Sequence, residues 1–262
     1  MSIVLAGIAP HSPVLIPAIG KENLKRLKAT EKAYKRLEEE LYAAQPDILV
    51  IISPHGMIQQ HNISLNLSPH FYSAFEDFGD FTTKMEHKGN IGFAHQIRER
   101  LETTAPLQLI SMPNLDHGVS IPLFMLTKNL PNITILPIYY SGLDLDAHFK
   151  IGQMLKSDLL FHNHRVAVLA SGDLSHRLTR TAPAGFSTKG KKFDKKVIDF
   201  LLSSESQGIL QIDKDLIVHA SECGLKSIVM LLGILDGIKN EPQLLSYEYP
   251  FGVGYLTMQF RL

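Results

Sequence analysis

The chain has 262 residues, the upper end for one domain and enough to bury a large core. Lysine plus arginine and aspartate plus glutamate both number 26, so no net field draws the chain to nucleic acid or an anionic membrane. The one cysteine, Cys223, excludes an intramolecular disulfide and fits a reducing, cytoplasmic setting. The opening "MSIVLAGIAPHSP" lacks a basic signal region, and "SIVMLLGILDGI" is interrupted by Asp236 far short of a membrane span.

In chain order, residues 2–9 read as a short apolar strand stopped by Pro10. Over 21–44, Leu24, Leu27, Tyr34, Leu37 and Leu41 recur near helical spacing among charged residues, which predicts an amphipathic helix. "DILVIIS" (47–53) is near-continuously apolar, as a parallel strand covered on both faces should be. "NISLNLS" (62–68) alternates, predicting an edge or half-exposed strand. A helix near 91–103 leads to a strand at 107–112, and a helix near 119–130 to one at 133–140. A helix over 145–162 precedes a strand at 165–171, and helices follow at 192–203 and 222–238. Residues 243–260 read as a closing strand pair bent around Pro250 and Gly252.

This alternation predicts a single-domain α/β sandwich over 1–262, with a mixed, mostly parallel central sheet flanked by helices. The one linker-like stretch, 177–192, suits a functional loop inside that domain. Its Arg177, Arg180, Lys189, Lys191 and Lys192 make either a solvated basic loop or a surface that steers an anionic substrate.

In α/β sheets ligands bind at the carboxyl ends of strands, and four apolar runs here lead to histidines: His11, His55, His117 and His176. If those strands are neighbours running in one direction, the four imidazoles gather on one rim. Two imidazoles and one carboxylate on one face suit non-haem Fe(II), and zinc accepts such ligands as well. Glu222 is the candidate carboxylate, since a helix N-terminus favours the charged form; its plainer reading is a first-turn residue. Asp173 and Ser175, in "SGDLSH", read as turn-formers before orienting partners. His61, His70, His87, His95, His148, His162, His164 and His219 read as structural or solvated.

"APHSP", "ISPH", "LDHGVSIPL", "SGDLSH" and "SECGLKS", in this order, resemble the class III extradiol ring-cleavage dioxygenases, the superfamily of the protocatechuate 4,5-dioxygenase catalytic subunit. With "LLSYEYPFGVGY", the chain is most similar to the dioxygenase-like part of AmmeMemoRadiSam system protein A. The resemblance implies that His11, His55 and Glu222 hold the metal, that His176 is the acid/base group, and that His117 faces substrate or oxygen. It implies Fe(II) as cofactor, with Zn or Mn as other ions for the site, and a small aromatic diol and O₂ as substrates, in aromatic catabolism. It also places "YPFGVGY" (249–255) near the site, with Gly252 and Gly254 admitting close backbone approach. In two-subunit relatives a small subunit helps cover the site; here a neighbouring copy would do so, and a homodimer is expected. The Memo proteins share this fold and use a cysteine beside histidines, so the alternative is a metal-binding or redox protein without ring cleavage. On that alternative Cys223 is a metal ligand; otherwise it is a buried thiol. A zinc hydrolase is a third reading.

Overall fold

The structure, a computed structural model, describes residues 3–160 and 163–262. Residue 2, the end of the helix predicted over 145–162, and His162 lie outside the described residues. The strands are β1 (Ile3–Ala9), β2 (Ile48–Ser53), β3 (Ile63–Asn66), β4 (His70–Phe75), β5 (Asp80–Gly89), β6 (Leu107–Ile110), β7 (Thr134–Tyr139), β8 (Val166–Ser171), β9 (Glu241–Glu248) and β10 (Tyr255–Arg261). The helices are α1 (Pro17–Gly20), α2 (Lys28–Ala44), α3 (Ile91–Leu101), α4 (His117–Leu126), α5 (Leu145–Leu160), α6 (Thr188–Leu202), α7 (Ser206–Leu210), α8 (Lys214–Ala220) and α9 (Leu225–Leu235).

The apolar runs fill the middle of one mixed sheet of order β4-β5-β7-β2-β8-β1-β10-β9, with β3 joining β7 to β6 at the side. β7, β2, β8 and β1 are mutually parallel, so their carboxyl ends share one rim. β2 and β8 are buried along their whole length, which is why they carry no polar alternation. The strand period sends Ile48, Val50 and Ile52 into one core with Leu155 of α5 and Ile228 of α9. Leu49 and Ile51 point the other way, to Leu37 and Leu41 of α2 and Val119 of α4. Each such side chain contributes about 1.5–3 kcal/mol by leaving water. Among the described residues no helix is long and apolar enough to cross a membrane.

Four expectations are corrected. β3 is neither an edge nor half-exposed: it is buried at all four positions and pairs on both sides. Its polar residues are satisfied internally, because Ser64 Oγ donates to Met57 O and the Asn66 side chain brackets the Met112 peptide, donating at 2.9 Å and accepting at 2.9 Å. The helix predicted over 21–44 begins as a 3₁₀ segment through Leu27 and turns α-helical at Lys28. α6 starts at Thr188, capped by Ser187 Oγ on the Lys189 amide at 3.2 Å, so Lys189, Lys191 and Lys192 are helical rather than loop residues. The predicted helix 222–238 shortens to Leu225–Leu235, leaving Glu222 three residues before its first turn. The β4–β5 hairpin and the short helices α7 and α8 have no counterpart in the sequence reading.

Candidate metal centre

β1 ends at Ala9 and delivers His11; β2 ends at Ser53 and delivers His55; β8 ends at Ser171 and delivers Asp173 and His176. These three strands run side by side in one direction, so the residues after them meet at the rim. His117 arrives differently. β6 is parallel to β3, and β3 is antiparallel to β7, so β6 runs away from the rim. The chain returns through residues 111–116, and Asp116 caps α4 by accepting the Val119 amide at 3.2 Å, which sets His117 at the helix start. The expectation of a common strand direction fails for this run, yet its imidazole still joins the others.

His11 Nε2 and His55 Nε2 are 3.0 Å apart, and Cys223 Sγ lies 3.5 Å from His11 Nε2. The three donors are all within 4.8 Å of one another, the one such group found among the described residues. Nitrogen and thiolate donors held about 2.0–2.3 Å from one ion, at roughly 90–110°, stand about 3–3.6 Å apart, so the observed spacings fit a cation. The His117 ring stacks on His55, centroids 4.2 Å apart, and meets His11 edge-on at 5.2 Å.

Hydrogen bonds fix which nitrogens are basic. Ser171 Oγ gives its single proton to Gly118 O at 2.5 Å, so it accepts from His11 Nδ1 at 3.0 Å. His11 therefore keeps a lone pair on Nε2, aimed at the group. His176 Nδ1–H donates to Leu174 O at 3.0 Å, leaving Nε2 the basic nitrogen there too. Burial, and then the imidazoles of His55, His117 and His176, hold His11 far below the usual histidine pKa. Burial and His117 bring His55 down to about 4, while His117 and His176 are lowered chiefly by burial. Four neutral imidazoles face one space, the form in which histidine binds metal or accepts a proton.

"SGDLSH" acts as the clamp of the site. Asp173 Oδ1 accepts the His11 amide at 3.0 Å, while Asp173 O accepts the amides of Cys223 at 3.3 Å and Gly224 at 3.0 Å. One residue thus ties the β1 arm to the α9 arm. Its other carboxyl oxygen lies 3.9 Å from His11 Nε2, and burial pushes this acid up to about 7. Beyond forming the turn, Asp173 is a buried orienting group, and the signal for it is an acid two residues past the end of a continuous apolar strand. The clamp needs Gly172: a Cβ there would stand 2.2 Å from Gly224 Cα. Gly172→Ala is expected to force the two backbones apart, costing about 1–3 kcal/mol of stability and weakening metal binding, as read by chemical denaturation and by calorimetric titration with Fe(II).

Glu222 is placed beside, not inside, the close donor group. Its Oε2 accepts the Leu225 amide at 2.6 Å at the start of α9, and burial raises the acid to about 7 against the pull of that amide and of Lys226. Lys226 Nζ donates to Ser141 O at 2.8 Å and sits 5.4 Å from the Tyr140 ring. Burial pushes the Cys223 thiol well up, with Asp173 and Glu222 adding to it, so the free thiol is protonated and only a cation would draw out its thiolate.

Asp194 of α6 holds the base of the turn, accepting the Ser175 amide at 2.9 Å and the Tyr247 hydroxyl at 2.6 Å. Burial lifts its pKa to about 6. An acid raised from near 4 in the unfolded chain leaves stability intact below pH 4 and lowers it as pH climbs toward 6. Asp194→Asn is therefore expected to gain on the parent by about 2–3 kcal/mol between pH 4 and pH 6.5, then hold level; denaturation midpoints of both proteins across that range check the sign.

Residues 249–254 do reach this rim: the Leu174 amide donates to Gly254 O at 2.8 Å, the Gly254 amide to Ser175 O at 2.9 Å and the Leu178 amide to Gly252 O at 3.0 Å. Gly252 has φ +77°, and a Cβ at Gly254 would strike Asp194. Among the basic residues of 177–192, Arg177 Nε donates to Ala184 O at 2.8 Å, Lys189 pairs with Asp215, and Lys191 lies 5.2 Å from the Tyr249 ring. His148 is buried between Asp144 O and the Ser141 amide. His70, His164 and His219 face Glu86, Asp47 and Asp215, His87 donates to Thr127 Oγ1, and His61 and His95 are exposed.

The family described as the catalytic LigB subunit of aromatic ring-opening dioxygenase matches residues 5–258. Protein CA_C1420 of Clostridium acetobutylicum is 31% identical over 262 residues, 96% of this chain and 56% of that protein, so the chain spans about half of that relative's length. An uncharacterized protein of Escherichia coli K12, JW3007, has a similar solved fold: TM-score 0.66 at 15% identity, over 98% of this chain and 99% of that one.

Proposed function

Because the chain belongs to the family of catalytic LigB subunits of aromatic ring-opening dioxygenases, we propose that it is a metal-dependent dioxygenase opening a catechol-type ring beside its two hydroxyls with O₂. The observation that carries the reading is the pair His11 and His55: two neutral imidazoles whose Nε2 atoms converge to 3.0 Å under a third, His117, with His176 beside them. His11 and His55 would hold the metal, with Glu222 as the carboxylate that the family resemblance implies and Cys223 as the donor that proximity favours. Fe(II) is the ion such a site would use for oxygen chemistry. When bound, it would supply the Lewis acidity and redox chemistry that a diol and O₂ need in order to react.

The remaining work falls to side chains. His176 Nε2, basic and neutral at pH 7, takes a proton from a ring hydroxyl. His117 carries a neutral imidazole at the helix start, where it offers an N–H to developing negative charge on oxygen. A pocket of about 360 Å³ beside His55, lined by Met57, Met112, Leu115 and Tyr139 with the polar Asn114 and Asp116, has room for a single aromatic ring.

A second reading, a metal-binding or redox protein without ring cleavage, draws on one observation: Cys223, not Glu222, completes the close donor group. The test is anaerobic loading with Fe(II), then a panel of catechols under O₂, read by oxygen uptake and by the yellow ring-fission product. Ring cleavage expects Glu222→Gln to lose oxygen uptake and Cys223→Ser to retain it. The scaffold reading expects metal retention to fall with Cys223→Ser, and no oxygen uptake from any variant or the parent.

A further inference from the structure

The β4–β5 hairpin lies over α4, where Phe75 meets Phe124 edge-on at 6.4 Å, and its tip brings Phe78 to 5.3 Å from the His117 ring. β5 is bonded to β4 along one side but to β7 only at Lys88 and Gly89, so among the described residues the other side of 80–87 borders no strand. The alternation of an antiparallel ladder says which groups face that open edge. The Gly89 amide donates to Pro69 O, and the Tyr72 backbone turns away from β5 to bond Pro113 and Leu115. Lys84 and Glu86, in phase with Tyr72, therefore direct their N–H and C=O away from β4.

The open edge borders a groove of about 1340 Å³, floored by Leu123, Phe124 and Leu130 and walled on the far side by α2. Strand edge, apolar floor and helix wall make a slot of the kind that accepts one extended segment. Its charge is one-sided. Lys28, Lys32, Lys35, Lys84, Lys88 and Lys128 line it against three glutamates, in a chain whose acids and bases number 26 each overall. Lys84 pairs with Glu76 at 3.2 Å and Glu86 with His70, while Glu38 keeps its charge and accepts from Asn129, so the lysines of α2, with Lys88 and Lys128, carry the excess.

We propose that this slot binds an extended acidic segment of a partner protein as an added strand on β5. The segment bonds through its backbone to Lys84 and Glu86. Its alternate side chains lie on Phe124 and Leu130, and those between them, acidic, meet the lysines. The probe is a blocked octapeptide alternating glutamate and valine, added to the full chain, with a lysine–valine octapeptide as control. The expected result is slowed hydrogen exchange at the Lys84 and Glu86 amides with the acidic peptide alone. Lys32→Glu with Lys35→Glu, both exposed positions on α2, should weaken that peptide at least about tenfold while leaving the circular dichroism unchanged. The proposal is overturned by unchanged exchange at millimolar peptide, by equal binding of the lysine peptide, by indifference to the double substitution, or by protection of this edge through self-association of the protein alone.

Discussion

Replacing His11 by alanine is expected to leave the protein unable to retain Fe(II), and with it to remove all oxygen uptake on catechols. His11 is fully buried and is common to both pairs of close donors, 3.0 Å from His55 and 3.5 Å from Cys223, so its loss breaks both pairs at once. A lost ligand differs from a lost orienting group, and Ser171 separates the two. The Ser171 hydroxyl fixes the His11 tautomer through a chain ending at Gly118 O. Ser171→Ala leaves all donors present but frees the ring, and should cost about 10–100-fold in metal affinity. Metal content after dialysis, with calorimetric titration of each variant, ranks the two. Stoichiometric iron in His11→Ala would show that the ion sits elsewhere. Equal affinity of parent and Ser171→Ala would show that the tautomer does not matter.

Much of this site was legible because parallel strands advertise themselves. Runs such as "DILVIIS" and "RVAVLAS" have no polar face, and such strands carry ligands at their carboxyl ends, so His11, His55 and His176 could be placed on one rim. Strand direction is not written in composition, which is why the route to His117 was misjudged while its destination was not. The β4–β5 hairpin was missed because residues 70–89 mix aromatic with charged residues, and half of their side chains stay in solvent. β3 misled in the opposite sense: Ser64 and Asn66 look solvent-facing until their internal partners are known. Glu222 and Cys223 are adjacent in sequence, so spacing cannot say which one turns toward His11. The answer depends on the close passage of Gly172 and Gly224 and on the Leu225 amide that occupies Glu222.

Removing His176 separates proton transfer from metal binding. His176→Gln keeps a polar side chain at a half-buried position and leaves His11, His55, Glu222 and Cys223 in place, so metal content should match the parent. Turnover should not: loss of a positioned base costs about 10²–10⁴-fold in kcat. The pH profile carries the sharper signature. Burial lowers His176 below the ordinary histidine value, against the carbonyls of Leu174 and Ser221, so its basic form persists through neutrality and is lost as pH falls through that lowered pKa. The parent's kcat/KM should therefore fall on the acid side with contributions from His176 and from protonation of the ligand imidazoles. In His176→Gln the His176 proton is gone, and the acid limb becomes shallower by one proton while the residual rate stays low. An unchanged slope, or a variant that turns over like the parent, would move the base to another residue; His117, the remaining neutral imidazole over the donors, would be the next to replace.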